Sequence, residues 1–592
     1  MDASMHGRED AAQAPVFQAD VDVPMRDGVI LRADIYRPAG PGPFPALICR
    51  TPYGKGSDKD ELRFARRAVK RGFAVVLQDV RGRFASGGWF LPHLNEGLDG
   101  YDSIEWLAAQ KWCDGRVGTF GLSYPGSAQW LAALEQPPHL KAMAPAMTYA
   151  SLRQAVYPGG VFDMDWTRWA LVVMAPDTRA RLGLPGFRTT AAAWADWKRR
   201  GPTEIQAHLP LLALPDLDAA TAFYTEWLSH PPEDPWWDFG ELSGRYDRVQ
   251  AAVLNLSGWH DDGFGVSGAI ANHLGLLAAR KGEPPGTGPR SMLVLGPWSH
   301  GINAITGDAH YGTRDFGPQA RLNYDALVLD FMDLHVRSLT NALAQAKPVR
   351  YFIMGKNQWR EDDTWPPTGT QPYAVHLGPR REGRAPSRLT HAIPGPGPSS
   401  STFLADPAKP VREIPGSDLG AMDQRTLTPH GDLLLFETRP LKRDMTIAGP
   451  IRTEIYVSTD APDLDLYVKL LDVAPDGTTY NLMDSGAEVL RASLRGLAHG
   501  QPDHRKLLLN PGQVYRLDLD TLLTANTFHT GDRIRVVLCA SWFPGMSRNL
   551  QTGENEAVSA AMRPAHITVH HDAAHPSRLI MPILPETTQA PK

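Results

Sequence analysis

A serine at position 123 stands in Val117-Gly-Thr-Phe-Gly-Leu-Ser-Tyr-Pro-Gly126, where a short apolar run ends at Phe120 and Gly121 and Gly126 bracket the hydroxyl. A serine hydroxyl is a poor nucleophile at neutral pH and acts only when a positioned base takes its proton. The chain offers such a base farther on. Val253-Leu-Asn-Leu256 runs into Ser257-Gly-Trp-His-Asp-Asp-Gly-Phe264, and Met292-Leu-Val-Leu295 runs into Gly296-Pro-Trp-Ser-His300. An acid and then a histidine therefore each follow a strand-like run. The chemistry this suits is acyl transfer, with Ser123 attacking, His300 as base and an aspartate orienting the imidazole. Asp261 stands three residues after Gly258, the offset natural to such a loop, and is the favoured acid; Asp262 is the reserve.

A serine presented in this way needs a strand, a sharp turn and a helix, and an amphipathic segment over 127–134 supplies the helix. The glycine pattern is Gly-x-Ser-x-x-Gly, with the second glycine one residue later than in the usual nucleophile elbow. Apolar runs at 46–49, 73–77 and 117–120 alternate with helical patterns over 61–71 and 101–110, which predicts a mainly parallel sheet covered on both faces. Alternation around Arg26-Asp-Gly28 predicts a hairpin over 21–38. The later runs at 253–256 and 292–295 continue the sheet after a Trp-rich, helix-like interval. Beyond about residue 345 short alternating strands take over, as at 451–458, 464–471 and 533–539, with a Pro/Gly/Ser-rich loop over 393–401. The fold class expected is an α/β-hydrolase core with an inserted helical cap and a C-terminal β-sandwich, a jelly roll. The expected divisions are a disordered 1–17, a catalytic domain of 18–149 and 247–345, a cap of 150–246, and the sandwich from 346 to 592.

At 592 residues the chain is too long for one hydrophobic core, which fits several domains. A net charge of −5 gives no electrostatic argument for nucleic acid or an anionic membrane. No apolar run reaches the roughly 20 residues that span a bilayer, and the polar start lacks the apolar segment of a signal peptide. The expectation is a cytoplasmic protein, free to form oligomers. The three cysteines, Cys49, Cys113 and Cys539, are far apart and read as buried thiols. No cofactor is expected.

Further motifs point to a family. Arg50-Thr-Pro-Tyr-Gly54, Gln78-Asp-Val-Arg-Gly-Arg-Phe-Ala-Ser-Gly-Gly88 and Trp112-Cys-Asp-Gly-Arg-Val-Gly118 precede the serine, and Gly258-Trp-His-Asp261 and Gly296-Pro-Trp-Ser-His300 follow it. Asp460-Ala-Pro-Asp-Leu-Asp-Leu466 and Phe543-Pro-Gly-Met-Ser-Arg-Asn549 extend the pattern into the third domain. Together they resemble the bacterial cocaine esterase and α-amino acid ester hydrolase family, relatives of the X-Pro dipeptidyl peptidases. The resemblance implies the same three-part architecture. It also implies an oxyanion hole made of the Tyr53 hydroxyl and the backbone N–H of Tyr124, donors worth several kcal/mol of barrier. The doubled Asp261-Asp262 departs from the family pattern by one inserted residue before Phe264.

The resemblance further places Tyr157, Trp166 and Trp169, at the start of the cap, and Phe264, after the acid, in a pocket for an aromatic acyl group. The expected substrate is a small-molecule carboxylic ester. Amide or β-lactam acyl transfer is the alternative, with Asp163 and Asp165 available for a substrate ammonium; no residue set is dedicated to the free N-terminus of an X-Pro peptide. Two readings belong to other classes. His260, Asp261, Asp262 and His300 could ligate a metal, although no H-E-x-x-H or cysteine pair supports it, and the β-rich domain could be a binding module. Lys347-Pro-Val-Arg-Tyr-Phe-Ile-Met-Gly355 follows helix-like residues closely, so tight packing of that domain on the catalytic core is expected.

Overall fold

Fully apolar runs bounded by turn residues become the inner strands of a ten-stranded sheet. The computed structural model describes residues 14–282, 290–307, 310–379, 385–414, 420–427, 431–483, 488–496 and 505–585. In chain order the strands are β1 (Val16–Pro24), β2 (Ile30–Arg37), β3 (Phe44–Thr51), β4 (Ala74–Asp79), β5 (Cys113–Leu122), β6 (Leu140–Ala146), β7 (Ala252–His260), β8 (Ser291–Ser299), β9 (Val349–Ile353) and β10 (Gln358–Asp362). They lie in the order β1-β2-β4-β3-β5-β6-β7-β8-β9-β10. From β4 through β9 neighbours run parallel, and antiparallel pairs close both edges. Every residue of β4 and β7 is buried, as a sheet covered on both faces requires.

Two expectations change here, and one strand was not foreseen. Residues 1–13 of the expected disordered terminus lie outside the described residues, but β1 already begins at Val16 and pairs with Arg37, so strand replaces disorder at 16–17. The ten-stranded sheet does not stop at 345: Val349 to Tyr351 pair in parallel with β8, and β10 adds beyond them. A boundary at 346 would strip two strands from the sheet. Finally, β6 went unpredicted, because Lys141 and Pro145 interrupt its apolar run; Lys141 projects outward and donates to the Pro138 carbonyl.

The helices that frame the site are α1 (Lys59–Lys70), α2 (Glu96–Ala108) and α3 (Tyr124–Leu134). Asp58 caps α1 by accepting the N–H groups of Asp60 and Glu61. All eleven residues of α3 are buried, so the helix predicted as amphipathic is enclosed on every side, between the sheet and α2. Residues 147–251 interrupt the sheet with short turns of helix around α4 (Ala175–Leu182), α5 (Thr190–Arg200) and α6 (Ala222–Ser229). Two of these turns are π-helical, Trp169–Met174 and Gly201–Ile205. After β7 and β8 come α7 (Ser267–Ala279) and α8 (Tyr324–His335).

The C-terminal strands are β11 (Gln371–Leu377), β12 (Ser387–Thr390), β13 (Ser400–Ala405), β14 (Leu433–Glu437), β15 (Met445–Thr459), β16 (Asp465–Val473), β17 (Thr479–Asn481), β18 (Val489–Arg491), β19 (Tyr515–Phe528), β20 (Arg533–Cys539), β21 (Ala565–His570) and β22 (Arg578–Ile583). They form one hydrogen-bonded set in the order β13-β21-β15-β22-β11-β12-β14-β20-β16-β17, with β19 on β15 and β18 on β16. β16 is buried at all nine positions. Leu466, Val468 and Leu470 share the main core with Ile447, Ile451 and Ile455, while Tyr467 and Leu471 pack with Val161 of the insertion and Trp542. The β-rich part is thus pressed between its own core and the insertion. It also joins the ten-stranded sheet directly: Met354 donates to Ala525 O and accepts from the Thr527 N–H. The three cysteines are buried and unbridged.

A buried charge cluster marks the seam between the insertion and the C-terminal part. Arg491 meets Asp465 at 2.9 Å and Glu556 at 2.9 Å, and the N–H groups of Leu211 and Leu212 donate to the carbonyls of Glu556 and Ala557. Removing one partner of such a cluster leaves uncompensated charge, at a cost of about 3–5 kcal/mol. Arg491→Met is therefore expected to lower the urea midpoint markedly; an unchanged midpoint would show that the cluster is not needed there.

Candidate active site

The turn after β5 holds Ser123 at φ 70°, ψ −126°, a region that a residue with a side chain seldom occupies. Its N–H donates to Ala146 O at the end of β6, and its carbonyl accepts the N–H groups of Gly126 and Ser127. Gly121 has φ 137°, and a Cβ there would come within 2.5 Å of Pro125 Cβ and 3.2 Å of Cys49 Sγ, so the turn cannot close with a larger residue. With Pro125 inside the first turn of α3, the late second glycine still permits a sharp strand-to-helix turn.

His300 follows β8, and its Nδ1 lies 2.6 Å from Asp261 Oδ1. Asp261 is wholly buried and takes two further hydrogen bonds, from the Ser257 hydroxyl at 3.1 Å and the Gly263 N–H at 3.1 Å. Asp262 faces the backbone instead, accepting the His300 N–H at 3.3 Å. Gly263 lets the loop pass the imidazole, since a Cβ there would sit 2.5 Å from His300 Nδ1. Burial alone would push the His300 pKa down. The charge and hydrogen bond of Asp261 and the charge of Asp262 outweigh it, and the pKa lies above the usual imidazole value.

Tyr53 lies in the turn after β3, half-buried, with the polar groups of Trp169 and Ser123 near enough to its hydroxyl to favour its ionised form. Burial raises its pKa, so it stays a neutral donor at ordinary pH. The Tyr124 N–H belongs to the first turn of α3, where N–H groups have no partner within the helix. Its side chain is locked away: the hydroxyl donates to Glu96 Oε1 at 2.8 Å, accepts the His93 N–H at 3.0 Å, and the ring stacks on His93 at 4.3 Å.

Aromatic rings line the space beside these groups. Phe264 lies 6.1 Å from the His300 ring and 5.6 Å from Trp166, so the inserted residue before it does not carry it away. Trp166 meets Trp169 at 5.5 Å, and Trp169 reaches Tyr124 at 6.4 Å. Tyr157 is one layer back. It is buried against Phe162 and Trp237, with its hydroxyl donating to Trp227 O. Phe90, Tyr149 and Phe223 join the same cluster, which the sequence did not single out because they are scattered over 134 positions. Asp165 is paired with Arg168 at 3.0 Å, and the Asp163 carboxylate accepts the Asp165 N–H. His260 faces away from His300, its ring nitrogens on the carbonyls of Pro297 and Asn481. The four residues weighed as metal ligands therefore do not converge.

Residues 27–302 match the X-Pro dipeptidyl-peptidase (S15) family, and residues 341–580 match the X-Pro dipeptidyl-peptidase C-terminal non-catalytic domain. Over 606 aligned residues, 96% of this chain and 98% of the relative, the sequence is 33% identical to the cocaine esterase of Rhodococcus sp. (strain MB1 Bresler). The chain belongs to the cocaine esterase family. It is a serine ester hydrolase. Its fold recurs in solved structures. An aminopeptidase from a marine sediment archaeon, Thaumarchaeota archaeon, gives a TM-score of 0.80 at 22% identity, covering 98% of this chain and 99% of the other. An α-amino acid ester hydrolase gives 0.73 at 22% identity, covering 98% of both chains. The fold is thus an α/β-hydrolase with a C-terminal non-catalytic domain. Among the described residues no helix is long and apolar enough to cross a membrane.

One buried acid of this cocaine esterase relative escaped the sequence reading. Glu61, in the first turn of α1, accepts from Cys49 Sγ at 3.6 Å and lies close to Thr51, whose hydroxyl accepts the Tyr53 N–H. Burial first, and the charge of Asp58 second, push its pKa up to about 8. The native state therefore keeps a proton that the unfolded chain releases near the ordinary value of 4.5. Such a group lowers stability progressively as pH rises from about 4.5 to about 8, because over that range the unfolded state binds fewer protons. Glu61→Gln removes the effect. Its melting temperature is expected to gain on the wild type between pH 5 and 8, and a constant difference across that range would show that Glu61 is not protonated in the fold.

Proposed function

We propose that this chain hydrolyses carboxylic esters through an acyl-enzyme formed on Ser123. The observation that carries the reading is the 2.6 Å contact of His300 Nδ1 with the buried Asp261, which leaves Nε2 as the nitrogen able to act on the serine. His300 takes the Ser123 proton as the oxygen attacks the carbonyl. Tyr53 O–H and the Tyr124 N–H hold the developing oxyanion. His300 then returns the proton to the leaving alcohol, water attacks the acyl-enzyme with His300 again as base, and the acid departs. Asp261 orients the ring and stabilises its charged form; Asp262 shapes the loop.

Trp166, Trp169 and Phe264 form the acyl wall on this reading, with Tyr157 supporting them from behind, and flat aromatic acyl groups fit such a surface. The insertion over 150–246 acts as a cap. The catalytic unit comprises 18–149 and 247–345 together with β9 and β10, and the strands from β11 onward make a jelly roll. Pairing of Asp165 with Arg168 speaks against a dedicated ammonium site, so α-amino acid esters and amides rank below simple esters.

Rates on p-nitrophenyl acetate, butyrate and benzoate test this. Activity is expected to vanish in Ser123→Ala and to ignore EDTA, and Tyr53→Phe is expected to cost about 10²–10³ in kcat. Benzoate should compete with or exceed acetate in kcat/KM. Full activity in Ser123→Ala would end the proposal, and a phenylglycine ester or anilide turned over faster than any simple ester would reassign the substrate class.

The pH profile gives a second test. Only neutral imidazole is a base, so kcat/KM should rise with pH through an apparent pKa above 6.5, as the raised His300 value requires. Asp261→Asn removes the group that raises it. That variant should move the limb to lower pH and reduce kcat by about 10³–10⁴. A wild-type limb below 6.5, or one unmoved in Asp261→Asn, would take Asp261 out of the mechanism.

A further inference from the structure

Among the described residues, His570, Asp572 and His575 each offer one ligand atom, and the three atoms lie within 4.8 Å of one another. All three belong to one short stretch. His570 closes β21, and Asp572 and His575 lie in the turn that leads to β22. That turn is held by its own hydrogen bonds. Asp572 Oδ1 accepts the N–H groups of Ala574 and His575, each at 2.9 Å, and the Ser577 hydroxyl donates to the His570 carbonyl at 2.5 Å.

The donor geometry suits one small cation. His575 Nδ1 lies 3.2 Å from Asp572 Oδ1. Two ligands of a tetrahedral zinc with bonds of about 2.0–2.1 Å stand roughly 3.3 Å apart. His570 Nε2 is 2.8 Å from the Ser458 hydroxyl on β15. A polar partner on the second nitrogen is how metal-binding histidines are usually oriented, and it leaves Nδ1 as the ligand atom. Asp572 is buried while both histidines are half-buried, so the donors are placed but an ion and its waters can reach them. Two imidazoles and a carboxylate favour zinc, cobalt or nickel over magnesium and calcium, which prefer all-oxygen sets.

We propose that His570, Asp572 and His575 form a divalent transition-metal site, of the zinc class, that pins the β21–β22 turn of the C-terminal domain. Three protein ligands leave the remaining position to water. None of the three belongs to the Ser123 machinery, so the site is structural and independent of ester hydrolysis.

The test uses the full chain after metal removal. Calorimetric titration with zinc is expected to show one equivalent bound, cobalt to give the absorption of a low-coordinate nitrogen and oxygen site, and zinc to raise the melting temperature. His575→Gln and, separately, Asp572→Asn are each expected to weaken zinc at least about tenfold while p-nitrophenyl acetate turnover stays at the wild-type rate. That retained turnover also shows each variant is folded. Absence of zinc binding at molar excess, or equal binding by wild type and both folded variants, would overturn the proposal.

Discussion

Removing a carboxylate from water costs several kcal/mol unless its lone pairs are met, and Asp261 is removed from water completely. Its donors come from three places: Ser257 near the end of β7, Gly263 in the loop beyond, and His300 after β8. Satisfying them together imposes one register of β7 on β8 and one path for the loop. The register shifts between Gly258 and His260, just before the two strands deliver Asp261 and His300. The same loop path carries Phe264 beside the His300 ring and Trp166. The extra residue of the doubled aspartate is absorbed there, because Asp262 turns to the His300 backbone and Asp261 keeps the ring.

The other half of the site rests on the strained backbone at Ser123. A positive φ at a residue with a side chain persists only where the surroundings over-determine it. Here they are the Ala146 carbonyl, the packed contact of Gly121 with Pro125, and a helix enclosed on every side. Ser123 and His300 then meet an aromatic surface of quite different origin. The insertion is built from short helices and turns with a small core of its own around Leu171, Trp197 and Ile205, and a second cluster in it is rich in aromatic rings.

That surface is held from outside. The Met164 N–H donates to Gly545 O, the Ser547 N–H to Phe162 O, and the Gln206 side chain to Pro544 O, so one C-terminal loop fastens several turns of the insertion. Trp542 and Met546 of that loop pack with Val161 and Tyr467. The β-rich part therefore contributes none of the residues assigned to catalysis but shapes the wall against which the acyl group would lie. This is the tight packing its sequence suggested, and it leaves little room for a module swinging on a linker.

Much of this was legible in the chain alone. Apolar runs at 46–49, 117–120, 253–256 and 292–295 became central strands, and the serine, the acid and the histidine could be placed from the ends of those runs. Burial is a local demand, written in consecutive residues. Other features were not local. β6 was hidden by Lys141 and Pro145, and β9 and β10 read like any alternating strands, since nothing in a strand names the neighbour it will pair with. Asp261 and Asp262 were chemically identical until the loop's hydrogen bonds separated them. Tyr157 stood among the pocket candidates until packing set it a layer behind Trp166. The sequence by itself determined the strand-forming runs and the order of the reactive groups, because each follows from the chemistry of adjacent residues. Only the tertiary structure decided which carboxylate meets His300, which rings border the site and where the catalytic sheet ends, because those depend on contacts between segments far apart in the chain.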